Sequence, residues 1–514
     1  MRQKRTVELV ARSTGLQWNC KEVKNFLRYF IGIDIGTSSV KSLIIDENGN
    51  LIGISQREYD IIKPQQSYSE QDMNILWSAT SETLRDLMTS NSSIKNKISG
   101  IGFSGQMHGL VMLDKNGKLI RNAIIWADQR SQNSIEKITN IFPTYRNITF
   151  NSLSTGFLIS SLIWIRDNEP KNYEKIFHVM LPKDYIRYKI CGELGTDYSD
   201  ASGTGIFDIE KQNWAYEIIE ALGIDKNIFV ECHEASEIAG RVSEICSNET
   251  GLNKGIPVVY GGGDTLVQAL GNGINDNVLI SNIGTASQLL CLSNIPLHDK
   301  FFRTNTFCHV EKNKWLLMGA NLSGGVALKW LKNILGCNSY SEMTELALKA
   351  EAGSKGLIFL PYLNGERTPH NDPNARGIFF GLSLSHGRNE IIRSTMEGII
   401  FAQRETFEIF KQMGLNFNRV IASGGGARSE AFKKILASSL NCEVITNRIN
   451  EQGCVGAAIL SMTGTKTFSS IKEACEKIIS FNDEVIKPNL EQSKIYDELF
   501  TKFQKIYPSN KGNF

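Results

Sequence analysis

The chain has 514 residues, which is enough to bury a substantial core and predicts two or more domains. Its 56 basic and 54 acidic residues give a formal net charge of +2, so electrostatics favours neither nucleic acid nor an anionic membrane as a partner. Ten scattered cysteines without a Cys-x-x-Cys pair indicate neither a zinc site nor a disulfide scaffold. No apolar run is long enough to span a bilayer, and we expect a cytoplasmic protein.

The first 28 residues differ in character from the rest of the chain. The segment has a basic start, Met1 to Arg5, but no apolar signal-peptide region follows it. Glu8 and Glu22 argue against a transit peptide. We interpret residues 1–28 as an extension without an assigned function.

The first strand-turn-strand pattern of the chain, I-G-I-D-I-G-T-S-S-V-K, predicts a β-hairpin with a polar turn. Gly36 permits a tight turn, and Thr37, Ser38 and their amides offer hydrogen-bond donors to an anion. Asp34 can hold a hard cation beside that anion, and Lys41 adds a positive charge on the return strand. The pattern suits a Mg²⁺-bound polyphosphate; the alternative is an ordinary polar hairpin.

The next candidate site follows a predicted strand over residues 98–103 and has the sequence S-G-Q-M-H-G. Ligand sites of α/β proteins lie at such strand ends. Gly105 and Gly109 permit close approach of a ligand, and Gln106 and His108 would suit sugar hydroxyls. The alternative is a histidine of the surface or of a satisfied core.

Asp264 follows a short buried strand and three glycines in V-V-Y-G-G-G-D-T. The glycines can bring this carboxylate to an exposed strand end, where it can accept the proton of a hydroxyl nucleophile. The alternative is an N-cap for the helix that follows. Residues 271–277, G-N-G-I-N-D-N, have the composition of an interdomain link.

A second strand-turn-strand pattern, V-L-I-S-N-I-G-T-A-S-Q-L-L, begins at Val278. Aligning the two Gly-Thr pairs sets Gly284 and Thr285 opposite the first turn and Asn282 opposite Asp34. The first pattern thus has an acid, Asp34, where the second has an amide, Asn282. Two related half-sites predict two similar domains with a nucleotide between them.

Two glycine-rich segments of the second half complete the candidate sites. Gly424, Gly425 and Gly426 lie between a predicted strand and a helix, an arrangement that brings backbone amides to a nucleotide. This segment lacks the Lys-Ser/Thr of a P-loop. Residues 361–371, P-Y-L-N-G-E-R-T-P-H-N, are turn-rich and are expected to place Glu366 and Arg367 near the cleft. The alternative is a structural loop with a buried ion pair.

From about Phe30 to beyond Leu460 the chain resembles the FGGY carbohydrate kinases. The resemblance lies in D-I-G-T-S-S-V-K, S-G-Q-M-H-G, L-P-K-D-Y, G-G-G-D, P-Y-L-N-G-E-R-T-P-H-N and S-G-G-G-A-R-S-E, in this order. It implies an α/β fold of two actin-like (ribonuclease H-like) domains with ATP and sugar in the cleft between them. We expect residues 29–274 to hold the sugar and the base, residues 275–482 the nucleotide, and residues 483–514 to form a tail.

The resemblance also implies roles for individual residues. Asp264 matches the catalytic base, and Met107 and His108 match sugar contacts. The phosphate and nucleotide contacts match Asp34, Gly36, Thr37, Ser38, Gly284, Thr285, Gly424, Gly425 and Gly426. The implied reaction is ATP-dependent phosphorylation of a terminal hydroxyl of a ketopentose, D-xylulose first, with Mg²⁺ held through Asp34.

Several alternatives stay open. Ribulose, ribitol or glycerol could be the substrate, and an actin-like nucleotide switch is a rival of another class. The expected partners are a small sugar and ATP, with a homodimer as an open possibility. Family members most like this chain usually have asparagine at the positions of Thr265 and Ala127, so the identity of the sugar is left open.

Overall fold

The structure is a computed structural model that describes residues 27–514. The interpretation of residues 1–28 as an extension therefore lies outside the described residues, apart from the last two positions. No helix in this described part is long and apolar enough to cross a membrane.

The strands of the described residues are numbered in chain order. They are β1 Tyr29–Ile35, β2 Ser39–Asp46, β3 Leu51–Glu58, β4 Glu70–Gln71, β5 Ile98–Gly105, β6 Val111–Leu113, β7 Ala123–Ile124, β8 His178–Met180, β9 Thr196–Asp197, β10 Phe207–Asp208, β11 Asn213–Trp214, β12 Cys232–His233, β13 Ile238–Arg241, β14 Pro257–Val259, β15 Gly262–Gly263, β16 Val278–Ile283, β17 Ser287–Ser293, β18 Asn305–Cys308, β19 Trp315–Asn321, β20 Ile358–Leu360, β21 Ile378–Phe380, β22 Arg419–Gly424 and β23 Glu443–Ile445.

The α-helices of the same part of the chain are numbered likewise. They are α1 Met73–Ser90, α2 Gln132–Ile141, α3 Arg146–Thr149, α4 Leu158–Asn168, α5 Pro170–Tyr173, α6 Pro182–Cys191, α7 Tyr198–Ala201, α8 Tyr216–Ala221, α9 Glu244–Thr250, α10 Asp264–Asn272, α11 Gly325–Leu335, α12 Tyr340–Lys349, α13 Arg388–Gln412, α14 Glu430–Leu440, α15 Gln452–Gly464, α16 Ile471–Ile478 and α17 Leu490–Asn510.

The first large sheet has the strand order β13-β14-β5-β1-β2-β3, and β15 pairs with the end of β5. Strand β1 is antiparallel to β2 and parallel to β5. Ile31, Ile33 and Ile35 of β1 enter a core on one face of this sheet, whereas Phe30 enters a core on the other. The alternation of β1 therefore buries both faces of the central strand.

The second large sheet repeats this arrangement, with the order β18-β19-β17-β16-β22-β23. Strand β16 is antiparallel to β17 and parallel to β22, as β1 is to β2 and β5. Strands β3 and β19 occupy matching antiparallel positions, and β14 and β23 matching parallel positions. This repetition confirms the predicted α/β fold with two related units, which the repeated Gly-Thr turn had indicated.

Two helices fill the layer between the sheets. A Cβ on Gly32 of β1 would lie 1.9 Å from the carbonyl oxygen of Cys454 in α15, and one on Gly102 of β5 would lie 1.9 Å from that of Ala457. Helix α10 packs on the same helix, because a Cβ on Gly271 would lie 1.9 Å from the carbonyl oxygen of Gln452. Thus α15, from the second half of the chain, covers the first sheet. The predicted division at residues 274 and 275 stays a prediction.

The C-terminal helix α17 packs against the core of the second unit. Tyr496 is fully buried and donates a hydrogen bond to Glu397, 3.1 Å away. Near the end of α17, the ring of Tyr507 stacks on His370 with the centroids 3.8 Å apart. The segment predicted as a tail over residues 483–514 therefore contains a helix that supports the loop carrying Arg367.

Candidate active site

A cavity of about 310 Å³ opens between the two halves of the chain, and we call it the central cavity. Residues of the first half and of the second half line it together. The lining from the first half includes Thr37, Met107, His108, Trp126, Phe157, Asp264 and Thr265, and that from the second includes Gln288, Asn305, Phe307, Met318, Arg367 and Asn371. Five predicted site residues thus meet in one cavity.

Asp264 is the first residue of α10, and Gly263 occupies the N-cap position. The N-cap alternative for Asp264 is therefore wrong. The backbone N–H of Thr265 donates to Asp264 Oδ1 at 2.6 Å, and its hydroxyl donates to the same oxygen at 3.2 Å. Burial, followed by the negative charge of Asp34, raises the pKa of Asp264 to about 7, although the bonds from Thr265 oppose this.

A carboxylate with such a pKa can act as a base at neutral pH. When it is ionised, the Asp264 carboxylate is more basic than that of an exposed aspartate, because burial and the Asp34 charge raise its pKa. The hydrogen bonds from Thr265 both go to Oδ1, so Oδ2 is the oxygen left for a hydroxyl in the cavity.

His108 follows the end of β5 with a left-handed backbone, at φ 75°. Its ring stacks on Phe157 with the centroids 4.3 Å apart. Burial lowers the pKa of His108 to about 4, so the ring is neutral at pH 7. Nδ1 lies 2.5 Å from the carbonyl oxygen of Gly203, which can only accept, so Nδ1 carries the hydrogen. Nε2 is consequently a hydrogen-bond acceptor.

The first Gly-Thr turn lies beside the central cavity. The Ser104 hydroxyl donates to Asp34 Oδ1 at 2.6 Å, and burial raises the pKa of Asp34. The indole N–H of Trp126 donates to the Thr37 hydroxyl at 2.8 Å, which joins the turn to the wall of the cavity. The negative charge of Asp34 is one of the two causes that raise the pKa of Asp264.

Four other residues that the sequence predicted to bind substrates, Gly36, Ser38, Lys41 and Gln106, do not line the central cavity. Lys41 donates to Glu451 at 2.7 Å, so its ammonium group is engaged in an ion pair at the start of α15. Tyr59 binds the Gly36 carbonyl through its hydroxyl at 2.6 Å, and Ser38 lies exposed in the turn. Gln106 is fully buried and donates to the side chain of Gln71 at 2.6 Å instead of lining the central cavity.

A second cavity of about 650 Å³ lies on the second unit, and we call it the second-sheet cavity. It brings together the second Gly-Thr turn and the glycine-rich segment after β22. Its lining is Ile283, Gly284, Thr285, Gly325, Val326, Leu328, Lys329, Tyr340, Ser341, Thr344, Met396, Gly425, Gly426, Arg428, Ser429 and Phe432. Apolar walls with a few polar groups at one end suit a nucleotide base, ribose and phosphates.

Gly424, which precedes Gly425 and Gly426, does not itself line this cavity. Its φ is +71°, and a Cβ there would lie 2.5 Å from Asn282 Oδ1. The position therefore needs glycine to turn β22 into the segment that carries Gly425 and Gly426. Gly284 and Thr285 contact the start of α11, where the N–H of Gly325 donates to the Gly284 carbonyl at 2.7 Å.

The sequence motifs did not identify several residues of the central cavity as site residues. Arg367 was expected only near the cleft, and its motif gave no reason to select it over Glu366. Phe157, Asn305 and Phe307 stand in segments without a recognisable pattern. Their positions in the cavity depend on contacts between segments that are far apart in the sequence, and local sequence patterns do not predict such contacts.

The central cavity contains a carboxylate of raised pKa and a neutral histidine acceptor, and each of the two Gly-Thr turns borders one of the two cavities. The repeated sheets around the cleft define the actin-like class of α/β folds. Residues 29–271 match the model of the N-terminal domain of the FGGY family of carbohydrate kinases, and residues 279–465 match that of its C-terminal domain. The chain belongs to the FGGY family of carbohydrate kinases, which confirms the predicted resemblance.

Individual relatives agree with this assignment. A xylulose kinase of Staphylococcus xylosus is 35% identical over 486 residues, which cover 94% of this chain and 100% of that protein. The solved structure of a xyloylose kinase from Brucella ovis has a TM-score of 0.90 at 30% identity, covering 95% of this chain and 100% of that one. A gluconate kinase structure from Lactobacillus acidophilus has a TM-score of 0.89 at 26% identity, covering 94% and 98%.

Proposed function

We propose that the chain transfers the γ-phosphoryl group of ATP to the terminal hydroxyl of a ketopentose, and that D-xylulose is converted to D-xylulose 5-phosphate. The observation that carries this proposal is the position of Asp264, a carboxylate with a pKa of about 7 in the wall of the central cavity. The xylulose kinases at 31–35% identity support xylulose as the acceptor.

Asp264 would act as the general base. Its Oδ2 takes the proton of the terminal hydroxyl while the bond between that oxygen and the γ-phosphorus forms. The bond between the γ-phosphorus and the bridging oxygen breaks, and ADP leaves with the electron pair. His108 and Thr265 would hold the sugar, because both line the cavity that contains Asp264.

The phosphates would lie between the two Gly-Thr turns. Thr37 borders the central cavity and Thr285 borders the second-sheet cavity, so ATP bound in the second would extend its phosphates toward the first. Donors at both turns would stabilise the charge on the transferred group. Closure of the cleft about residues 271–277 would exclude water and limit ATP hydrolysis.

The residues present fit a magnesium ion held mainly by the nucleotide. Among residues 27–514 no group of three or more histidine, cysteine or acidic side chains could hold a metal ion. Mg²⁺ usually keeps several waters and binds one or two carboxylates together with substrate phosphates. Asp34, whose Oδ1 accepts from Ser104, would be that carboxylate. A bound Mg²⁺ would neutralise charge on the β- and γ-phosphates.

An ADP-release assay over a panel of sugars tests the proposal. We expect kcat/KM with D-xylulose to exceed that with ribulose, ribitol, glycerol and gluconate by at least tenfold, and activity to require Mg²⁺. Gluconate belongs in the panel because one similar structure is that of a gluconate kinase. A clear preference for any other acceptor would overturn the substrate assignment. The predicted cytoplasmic location and the homodimer stay predictions.

A further inference from the structure

The side chain of Arg367 lines the central cavity and has no partner among residues 27–514. Within residues 27–514 its backbone N–H donates to Glu366 Oε1 at 2.7 Å, but no hydrogen bond or ion pair reaches its side chain. Glu366 is fully buried, and its Oε1 also accepts from the backbone N–H of Leu322. The side chain is exposed to the open cavity, so its N–H groups are free to donate to a ligand there.

Arg367, His108 and Asp264 line the same cavity. The positive charge of Arg367 also helps to lower the pKa of His108, and it is not among the charges that shift the pKa of Asp264. The cavity therefore offers a carboxylate for the hydroxyl to be phosphorylated, and a guanidinium and a neutral imidazole for the rest of the substrate.

The hydrogen-bonding capacity of Arg367 and His108 is specific. Arg367 can only donate, and Nε2 of His108 can only accept, because Nδ1 carries the hydrogen that binds Gly203. A carbonyl oxygen can only accept, and the hydroxyl on the adjacent carbon can donate. A ketose presents this pair at C2 and C1. An alditol presents hydroxyls at both carbons, which fit a fixed donor less well.

We propose that Arg367 binds the C2 carbonyl oxygen of an open-chain ketose while His108 accepts from the C1 hydroxyl. Arg367 then determines specificity for the hydroxyketone end of the substrate. The inference rests on the proposed function, because it places the terminal hydroxyl at Asp264. The open-chain form is also required by the chemistry, since the hydroxyl to be phosphorylated cannot be closed into a ring.

The test compares D-xylulose with xylitol, which keeps five carbons and the terminal hydroxyl but lacks the carbonyl. Wild type is expected to prefer D-xylulose by at least 100-fold, both in kcat/KM and in Kd from titration calorimetry. Arg367→Met should reduce both ratios at least tenfold, mainly because kcat/KM and affinity for D-xylulose fall. Arg367→Lys should reduce the ratios less. Because no residue in the described part of the chain pairs with this side chain, Arg367→Met should keep or raise the melting temperature of the free enzyme.

Arg376→Met is the matched control. Arg376 lies exposed in the same loop region, and its guanidinium donates to the carbonyls of Pro373 and Ala375 at 3.1 and 2.9 Å. It should leave both ratios unchanged. Equal losses for the two substrates, or a fall in melting temperature with unchanged ratios, would overturn the inference.

The wild-type measurements separate this inference from the proposed function. A wild type that prefers gluconate overturns both, and abolition of that preference by Arg367→Met would assign the guanidinium to a carboxylate. A wild type that binds and phosphorylates D-xylulose, together with an Arg367→Met ratio that does not change, overturns the inference alone.

Discussion

Asp264, the proposed base, is a single residue whose raised pKa suits catalysis but lowers stability. The positive end of a helix normally favours a carboxylate in its first turn. Burial and the nearby charge of Asp34 act in the opposite direction and raise its pKa to about 7. The folded protein therefore holds a proton on Asp264 up to a pH at which the unfolded chain has lost it.

Replacement of the base should abolish most of the activity. Asp264→Asn keeps the shape but cannot take the proton, and we expect turnover to fall by on the order of 100-fold or more while sugar binding persists. In wild type, kcat/KM should fall about tenfold per pH unit below pH 7, since the base must be ionised. Near-normal turnover of the variant would remove Asp264 from the mechanism.

The same variant should be more stable than wild type at high pH. Because the folded pKa is raised above the usual 3.8, ionisation of Asp264 removes stability as the pH rises from about 4 through about 7. Asp264→Asn avoids this loss, so its melting temperature should exceed that of wild type by roughly 2–4 °C at pH 8 and by less at pH 5. Asp483→Asn, at an exposed carboxylate, is the control and should change neither value.

Asp34 is predicted to act on the phosphate side of the site. Asp34→Ala should raise KM for Mg-ATP by roughly tenfold or more and leave the Kd of the free ketose nearly unchanged. It should also move the acidic limb of kcat/KM to lower pH, because the negative charge of Asp34 raises the pKa of Asp264. A collapse of sugar affinity with an unchanged Mg²⁺ dependence would show that Asp34 belongs to the sugar site.

Thr265 follows the proposed base, at a position where the resemblance to the family leads us to expect asparagine. Its hydroxyl donates to Asp264 at 3.2 Å and its side chain borders the central cavity. Thr265→Asn should change the ratios of kcat/KM among pentuloses by about tenfold or more, because one lost polar contact in a dry site is worth roughly 1–3 kcal/mol. If wild type strongly prefers D-xylulose and the variant leaves every ratio unchanged, Thr265 has no part in specificity.

At the scale of elements, the helix α15 determines how closely the two units approach. Its sequence, Q-G-C-V-G-A-A-I-L, is typical of a small-residue helix that packs closely on a sheet or on a nucleotide. The structure shows the sheet, since the carbonyls of Cys454 and Ala457 lie where Cβ atoms on Gly32 and Gly102 would be. The sequence indicated a helix of small residues but not the strands that it contacts, because the contact joins segments more than 350 residues apart.

Gly32→Ala tests this contact. The added Cβ would meet the backbone carbonyl of Cys454 at 1.9 Å, and backbone cannot move aside as a side chain can. We expect the free energy of unfolding to fall by roughly 3 kcal/mol, at the upper end for overpacking. Gly512→Ala, where nothing lies within 4 Å, is the control. A melting temperature of Gly32→Ala equal to that of wild type would contradict the packing of α15 on β1.

At the scale of the whole molecule, the two halves share one of their cores. Phe30, Leu43 and Ile45 of the first sheet and Ile280 and Leu290 of the second belong to the same apolar cluster. The repeated Gly-Thr turn predicted two related units, but nothing in the local pattern could predict that they share this layer. Helices α10 and α15 fill it, one from each half.

The shared core predicts the behaviour of fragments cut at the predicted boundary. Residues 27–274 expressed alone should aggregate or lack a cooperative transition, because the face around Phe30 would meet water. Co-expression with residues 275–514 should recover a soluble and active complex. The full chain cut by a protease at an inserted site near residue 275 is the control. A separately expressed fragment that melts at the temperature of the full chain would contradict this prediction.

The position of α15 in the chain also affects how the protein is made. Translation completes β1 at residue 35 and β5 at residue 105, but the helix that covers them begins at residue 452. Throughout most of elongation an apolar face of the nascent first unit is therefore exposed to solvent. This face becomes buried only after the second unit has emerged from the ribosome. Slow or interrupted translation after residue 274 should therefore increase the dependence of this protein on chaperones that shield such faces.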